Sequence, residues 1–189
     1  SLDKATIEQF YDQFEIGSRW ASGDLRLRGS FRFETGSRLE PLRTLAGSLS
    51  AALEGGSLSR YPALVRIFGL LGSPAQPARL PDLTRERMPY RRISADFTVA
   101  QGVMETKNLV LDSEVLRVSG VGKIRLPEKT IDFDLGVRPL AVLEGGIRKV
   151  PVLGRLLPQE QGLTVIYFDV EGPWDDLKAS VAPVQSLSQ

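Results

Sequence analysis

The chain has 189 residues, and its 42% apolar and 25% charged residues are typical of a folded domain. It has 24 Lys and Arg against 23 Asp and Glu, so the formal charge of +1 provides no long-range field to attract nucleic acid. It has neither Cys nor His, which excludes, within these residues, Cys/His zinc sites, haem ligation by His, thiol catalysis and serine triads that use an imidazole base.

The first predicted element is a short helix over Asp3–Trp20, with Asp3 as its N-cap. Apolar and aromatic residues recur in this segment with the spacing of one helical face. These residues are Ile7, Phe10, Tyr11 and Phe14.

Two β segments are predicted next. Over Asp24–Thr35, apolar residues alternate with arginine and serine, which indicates a strand with one apolar side. Gly29 inside this strand indicates a bulge or a close approach of another backbone. We interpret Leu45–Leu58 as two short strands that turn at Gly55 and Gly56, because both glycines accept positive φ.

The segment Tyr61–Leu71 is predicted to be a helix, since Pro62 suits a first turn and Gly72 a stop. An amphipathic stripe on this helix supplies candidate contact residues, which are Leu64, Arg66, Ile67, Phe68 and Leu71. Residues 73–90 are expected to form a linker, because they are rich in proline, which removes backbone donors from a sheet.

The most informative stretch of the chain is Ile93–Arg138, in which apolar and polar residues alternate with period 2. Four strands joined by short links are predicted, and short links imply an antiparallel meander. The strands are expected at about 91–100, 102–112, 115–126 and 129–138, with turns near 101–102, 112–113 and 127–128. We expect one face of this sheet to line a groove. The candidate groove residues are Ile93, Phe97, Val99, Leu116, Val118, Ile131, Phe133 and Leu135.

A second amphipathic helix is predicted over Val142–Leu157, and two strands are predicted after it, over Gly162–Gly172 and Leu177–Ala182. The candidate contact residues of the helix are Ile147, Val150, Leu153, Arg155 and Leu157. Apolar residues occupy both sides of the first of the two strands, so we expect both of its faces to be covered. A turn around Trp174 is expected between them.

These elements together predict a mainly β chain, with a curved, largely antiparallel, open and groove-like sheet and two or three short amphipathic helices. We expect residues 1–189 to be a single elongated module and a fragment of a longer protein. Its parts are residues 1–72, the linker 73–90 and the repetitive sheet with the second helix, 91–184. The sequence contains no signal-peptide pattern and no apolar run of about 20 residues, the length that spans a bilayer.

Four sequence runs, in order, resemble the C-terminal region of AsmA-like proteins, the relatives of bacterial AsmA, TamB and YhdP. The runs are residues 97–113, 116–124, 150–154 and 168–178. The resemblance covers about residues 45–184, and the order of the runs is more specific than any one of them. The sequence departs from the family pattern at Leu177, where a proline is expected.

The resemblance implies a periplasmic segment of a protein anchored in the inner membrane. It implies a non-enzymatic, lipid-handling module that shelters the acyl chains of phospholipid in an apolar groove during transport between the inner and outer membranes. No cofactor and no metal are expected, and nucleic acid is not expected as a partner. The predicted helices either cap the groove or contact a membrane surface or an envelope protein.

Three alternatives stay open at the level of sequence. The apolar face can be an ordinary core that packs against the helices. The chain can be a structural module that docks a partner protein through its sheet edges during outer-membrane assembly. An enzyme would require acidic residues that converge on one site, for which Asp132, Asp134 and Asp169 are the candidates, although alternation along a solvated strand already explains the first two.

Overall fold

The computed structural model describes residues 2–6, 20–33, 41–59, 65, 67, 87–140, 165–173 and 176–182. Within these residues nine strands form one sheet, and a short helix, α1 (Pro41–Thr44), precedes the third strand. The strands are β1 (Leu2–Thr6), β2 (Ala21–Arg32), β3 (Ala46–Leu58), β4 (Met88–Ala100), β5 (Val103–Ser113), β6 (Leu116–Arg125), β7 (Thr130–Pro139), β8 (Ile166–Pro173) and β9 (Lys178–Val181).

The strand order in the sheet is the order in the chain, from β1 to β9, and every neighbouring pair is antiparallel. The sheet does not close, because β1 and β9 stand at its two edges. The prediction of a mainly β, antiparallel and open sheet is therefore confirmed. The four predicted central strands correspond to β4–β7, and the two that were predicted near the C-terminus correspond to β8 and β9.

The register gives the sheet two chemically different faces, because residues directly opposite each other on antiparallel strands share a face. One row crosses β2–β8 and is entirely aliphatic, and we call the side that carries it the apolar face. This row consists of Leu25, Leu53, Ile93, Leu111, Val118, Val137 and Ile166. The other side, the polar face, carries a charged row that consists of Asp24, Glu54, Arg92, Asp112, Arg117 and Arg138.

Ion pairs join neighbouring strands across the polar face. Glu54 of β3 lies 3.1 Å from Arg26 of β2 and 3.3 Å from Arg92 of β4, measured between carboxylate oxygens and guanidinium nitrogens. Arg117 of β6 donates to one carboxylate oxygen of Asp112 through two nitrogens, at 2.9 and 3.0 Å. These side chains are solvated, so each pair contributes little to stability, and their main effect is to keep this face in water.

The hairpin turns follow local chemistry. Gln101 and Gly102 have φ values of 51° and 76°, the two positive angles of a turn that matches strand twist. The β5–β6 turn lies at Glu114 and Val115, two residues after the predicted position. It is held by buried Ser113, whose hydroxyl donates to the Leu116 carbonyl oxygen at 2.8 Å and accepts from the Leu116 N–H at 3.1 Å.

A bulge in β5 changes the phase of its alternation. Ser94 pairs with Val110 and Phe97 pairs with Thr106, so β5 contains one residue more than β4 over this interval. Side chains before and after the bulge, at Thr106 and Leu109, therefore lie on the same face although they are three residues apart. Bulges of this kind bend a strand and increase its local twist.

The predicted helix over Asp3–Trp20 is wrong in its first turn, because Leu2–Thr6 is strand β1. It pairs with β2, where Thr6 lies opposite Asp24. The open backbone groups of β2 supply hydrogen-bond partners that a weak local helix preference does not outweigh. The apolar residues that suggested the helix lie within 7–19, outside the described residues.

The predicted hairpin in Leu45–Leu58 is also wrong, because β3 runs unbroken through Gly55 and Gly56. Gly55 has φ of 62°, and the two glycines together lie opposite the single residue Gly23, which is a bulge rather than a turn. The predicted linker 73–90 ends earlier than expected, since β4 begins at Met88 and includes Pro89. Residues 73–86 lie outside the described residues.

The helix predictions are only partly covered by the described residues. Val65 and Ile67 are helical, in agreement with the helix predicted over Tyr61–Leu71. The helix predicted over Val142–Leu157 lies outside the described residues. Gly29 makes the close approach expected for it, because a Cβ there would lie 2.6 Å from the Ser48 carbonyl oxygen.

Substitutions in the β3 bulge should separate steric from conformational demands. A Cβ on Gly56 would overlap the Ser22 carbonyl oxygen, so we expect Gly56→Ala to lower the free energy of unfolding by about 2–4 kcal/mol. Gly55 has open space around it, and Asn tolerates its positive φ, so Gly55→Asn should cost less than about 1 kcal/mol. Urea unfolding of both variants measures the difference, and equal losses would contradict the bulge.

Candidate functional site

All eight predicted groove residues lie on the apolar face. Ile93, Phe97 and Val99 belong to β4, Leu116 and Val118 to β6, and the other three to β7. The register places most of them opposite apolar residues or glycine; for example, Gly120 lies opposite Leu135. The row of Phe97 and Phe133 also contains Thr106, a buried polar residue. The prediction that alternation puts these side chains on one face is therefore met by the geometry.

The eight residues differ in how far the protein covers them. Val99, Leu116, Val118 and Phe133 are buried and belong to the interior. Ile93, Phe97, Ile131 and Leu135 are partly buried and pack at the margin of the buried cluster. The apolar face is thus a core in some places and a partly accessible surface in others.

One end of the apolar face is covered by the chain itself. This is the end where β2, β4, β6 and β8 begin, and we call it the closed end. The side chains at this end are almost completely buried, and helical Ile67, which is only 2% exposed, belongs to the buried cluster that extends along the whole apolar face and includes them. Those side chains are Leu58, Met88, Leu116, Val137 and Phe168. Ile67 is the single helix-contact candidate that lies among the described residues; the other nine lie outside them.

The opposite end of the apolar face, where β2, β4, β6 and β8 finish, is less covered, and we call it the open end. Phe31 pairs with Gly47 there and is 48% exposed, and Phe33 just after β2 is 57% exposed. Ile124 and Ile131 are opposite each other and only partly buried. Several side chains in this half of the face are nevertheless buried, namely Val99, Thr106, Phe133 and Val170. Val99 lies next to the β4–β5 hairpin, where the Gly102 N–H donates to the Leu45 carbonyl oxygen at 3.0 Å.

Glycines in β6 let side chains from β7 lie across the sheet. A Cβ on Gly122 would lie 2.6 Å from Cδ1 of Phe133, and one on Gly120 would lie 2.6 Å from Cδ2 of Leu135. Both groups therefore rest directly over glycine backbone. The two glycines thus leave room for the side chains of β7 to pack against β6.

Sequence reasoning missed several residues of the apolar face. The signal was present in β3, where Leu49 and Leu53 alternate with polar or small residues, but the glycine pair was interpreted as a turn. In β5 the bulge hides the signal, since Leu109 and Leu111 are out of phase with Met104. Both faces of the strand that corresponds to β8 were predicted to be covered, whereas Tyr167 on its polar face is 39% exposed.

The acidic candidates for an enzyme site lie together on the polar face. Asp134 of β7 is opposite Asp169 of β8, and Asp132 is opposite Glu171. Arg125 pairs with Asp132 at 3.5 Å. Among the described residues no three acidic side chains are grouped closely enough to hold a metal ion. The convergence that an enzyme hypothesis required is not found there.

Two carboxyl groups on the polar face have pKa values that their surroundings shift in opposite directions. Partial burial raises the pKa of Asp134, and the nearby carboxylates of Asp169 and Asp132 raise it further. Hydrogen bonds donated by the Ser50 hydroxyl and by Asn108 lower the pKa of Asp96. The anionic form of Asp134 is thus destabilised, first by partial burial and then by its acidic neighbours, while the anionic form of Asp96 is stabilised by hydrogen bonds.

No family model, no curated protein and no solved structure matches the chain significantly. None of the helical segments in the described part of the chain is long and apolar enough to cross a bilayer. The apolar face is therefore interpreted from its own geometry.

The two carboxyl groups predict opposite effects of pH. Because the pKa of Asp134 is raised in the folded protein, the protonated form of this group favours folding. This contribution to stability is present below the ordinary pKa of 3.8 and is lost as pH rises through the pKa of the folded state. We therefore expect Asp134→Asn to stabilise the protein at pH 7, with the gain vanishing towards pH 3. Asp96 has a lowered pKa, so its contribution is present above 3.8 and lost as pH falls through the folded pKa.

Asp96→Asn is accordingly the control with the opposite sign, and it should destabilise the protein at pH 7 by an amount that shrinks in acid. Urea midpoints between pH 3 and pH 7 give both curves. A loss of stability in Asp134→Asn at pH 7 would show that its neighbours do not repel it.

Proposed function

We propose that this chain is a non-enzymatic lipid-handling module that shelters phospholipid acyl chains on its apolar face. The observation that carries the proposal is the combination of a continuous aliphatic row across β2–β8 with an apolar face that is covered at one end and partly accessible at the other. An ordinary core requires cover along its whole length. Partial cover leaves apolar surface for which hydrocarbon is a suitable partner.

The dimensions of the face suit an acyl chain. Strand β6 has 10 residues and is about 33 Å long. The hydrocarbon core of a bilayer is about 30 Å thick and contains two leaflets, so one acyl chain needs about half of that length. The less covered half of the face is therefore long enough for one chain laid along a strand.

The energetics also favour hydrocarbon at this position. Burial of a methylene group contributes about 0.8 kcal/mol, so ten sheltered methylenes contribute about 8 kcal/mol. That amount offsets much of the cost of removing a lipid from a bilayer, and it requires no polar catalytic group. The partly buried residues Phe97, Ile124 and Ile131 would supply most of the contact.

The resemblance to AsmA-like proteins adds a cellular setting to the proposal. On that basis the chain is a periplasmic segment of an envelope-spanning protein anchored in the inner membrane, and its cargo moves between the inner and outer membranes. Alternating apolar residues on one face and solvated ion pairs on the other are consistent with a sheet that carries hydrocarbon through an aqueous compartment.

Site-specific photocrosslinking tests the proposal. The photoreactive residue p-benzoylphenylalanine keeps the phenylalanine ring and adds a benzoyl group to it, and three phenylalanines of the apolar face form a series of decreasing exposure. We expect phospholipid adducts to decrease from Phe31 to Phe97 to Phe133, following their exposure in the protein. Mass spectrometry of chain expressed in bacteria and irradiated in cells measures the adducts.

Tyr167 is the matched control, because it is aromatic and 39% exposed but lies on the polar face. The same photoreactive residue at Tyr167 should give few or no lipid adducts. Equal labelling at Tyr167 and Phe31 would mean that exposure alone, and not the apolar face, determines lipid contact.

A protein-docking role is a second candidate, favoured by the open edges of the sheet. Strand β9 has 4 residues and covers only part of β8, which has 8. An exposed strand edge can pair with a strand of another protein. Photocrosslinkers at Ser180 of β9 and at Thr98 of the central strand β4 separate the two roles. A protein adduct at Ser180 but not at Thr98 supports docking, and the lack of a protein adduct at both positions argues against docking.

A further inference from the structure

A cleft of approximately 350 Å³ lies on the polar face, where β2, β3, β4 and β5 are side by side. The two central strands contribute small side chains to it, namely Ser50 and Ala52 from β3 and Ser94 from β4. Longer side chains from β2, from Arg92 and from Asn108 surround them. The cleft is therefore a consequence of small residues in the middle of the polar face and long residues around it.

The charges in the cleft are unequal. Arg26, Arg28 and Arg92 line it together with two carboxylates, those of Glu54 and Asp96, which leaves one net positive charge. Glu54 is shared between Arg26 and Arg92, at 3.1 and 3.3 Å. One carboxylate therefore serves two guanidinium groups, and neither arginine is fully neutralised.

The second carboxylate is already satisfied by neutral donors. The Ser50 hydroxyl donates to one oxygen of Asp96, and the Asn108 amide donates to the other at 2.7 Å. The Asn108 side chain also accepts from the Asp96 N–H at 2.9 Å. Asp96 is held in place by these bonds and does not pair with an arginine of the cleft.

Arg28 is left with no ion pair or side-chain hydrogen bond to any residue in the described part of the chain. It lies opposite Ser50 and is two residues from Arg26 on the same side of β2, about 7 Å along the strand. A guanidinium group presents five donors in a fork that fits the oxygens of a phosphate group. Among the described residues, the guanidinium donors of the cleft that lack a partner are thus concentrated on its β2 side.

We propose that this cleft binds a phosphate ester, with Arg28 as the anchoring cation and Arg26 as a second donor. The volume exceeds that of a phosphate group alone, so the ester carries a polar remainder, and Ser94 and Asn108 offer it hydrogen bonds. The ester is either a free metabolite or the headgroup of a lipid. Because the cleft and the apolar face lie on opposite sides of the sheet, this inference does not depend on the proposed lipid-handling function.

An NMR titration with glycerol phosphate tests the site in the whole chain. We expect the amide signals of Ser50, Ser94 and Asn108 to shift on binding. Arg28→Gln should weaken binding at least about tenfold, because it removes a charge-assisted contact. Arg32→Gln is the matched control, since Arg32 lies on the same side of β2 but outside the cleft, and we expect it to change affinity less than about twofold.

Vesicles distinguish the two sources of the ester. If phosphatidylglycerol vesicles bind, and Arg28→Gln weakens this binding while Arg32→Gln does not, the ester is a lipid headgroup. If only glycerol phosphate binds, with the same response to the two variants, the ester is a free metabolite. The proposal is overturned if neither probe shifts the cleft amides, or if the two variants weaken binding equally, because the attraction would then come from charge in general. Lipid adducts at Phe31 and Phe97 are measured separately, so either proposal can fail without the other.

Discussion

The fold depends on one constraint, which is the burial of aliphatic side chains that seven consecutive strands place in a common row. Each strand supplies one member, from Leu25 in β2 to Ile166 in β8, and each pairs with its neighbour in the chain. Such a row has no stability as a single strand or hairpin, because it needs several neighbours to remove it from water. The linear strand order, the antiparallel register and the contrast between the two faces all follow from keeping this row continuous.

The same constraint explains why the two ends of the apolar face differ. At the closed end, Met88 and Val137 are fully buried. At the open end, Phe31 remains half exposed. A sheet of this kind satisfies its backbone hydrogen bonds without any cover, but its apolar side chains still need a partner. The polar face needs none, because its charged side chains are solvated and several of them are paired across strands, and the cleft between β2 and β5 is lined by arginine.

Much of the fold could be predicted from sequence because its information is local. The alternation in β4, β6 and β7 is unbroken, so it placed Phe97, Val118 and Ile131 on one face without any knowledge of the strand order. The predictions that were wrong or incomplete also have definite physical causes. Gly55 and Gly56 form a bulge, which can be recognised only from their pairing with β2. The bulge in β5 reverses the phase of the alternation in that strand. Which groove residues are buried depends on distant parts of the chain, and no local pattern contains that information.

The proposed function requires hydrocarbon to occupy the part of the apolar face that the chain leaves uncovered. Native mass spectrometry of the chain, purified from bacterial membranes without added lipid, tests it most directly. We expect phospholipid to remain bound to the purified chain. It should be lost when Phe97 is changed to Asp and retained when Thr98, the adjacent residue on the polar face, is changed in the same way. Lipid-free chain, or equal loss of lipid in the two variants, would contradict it.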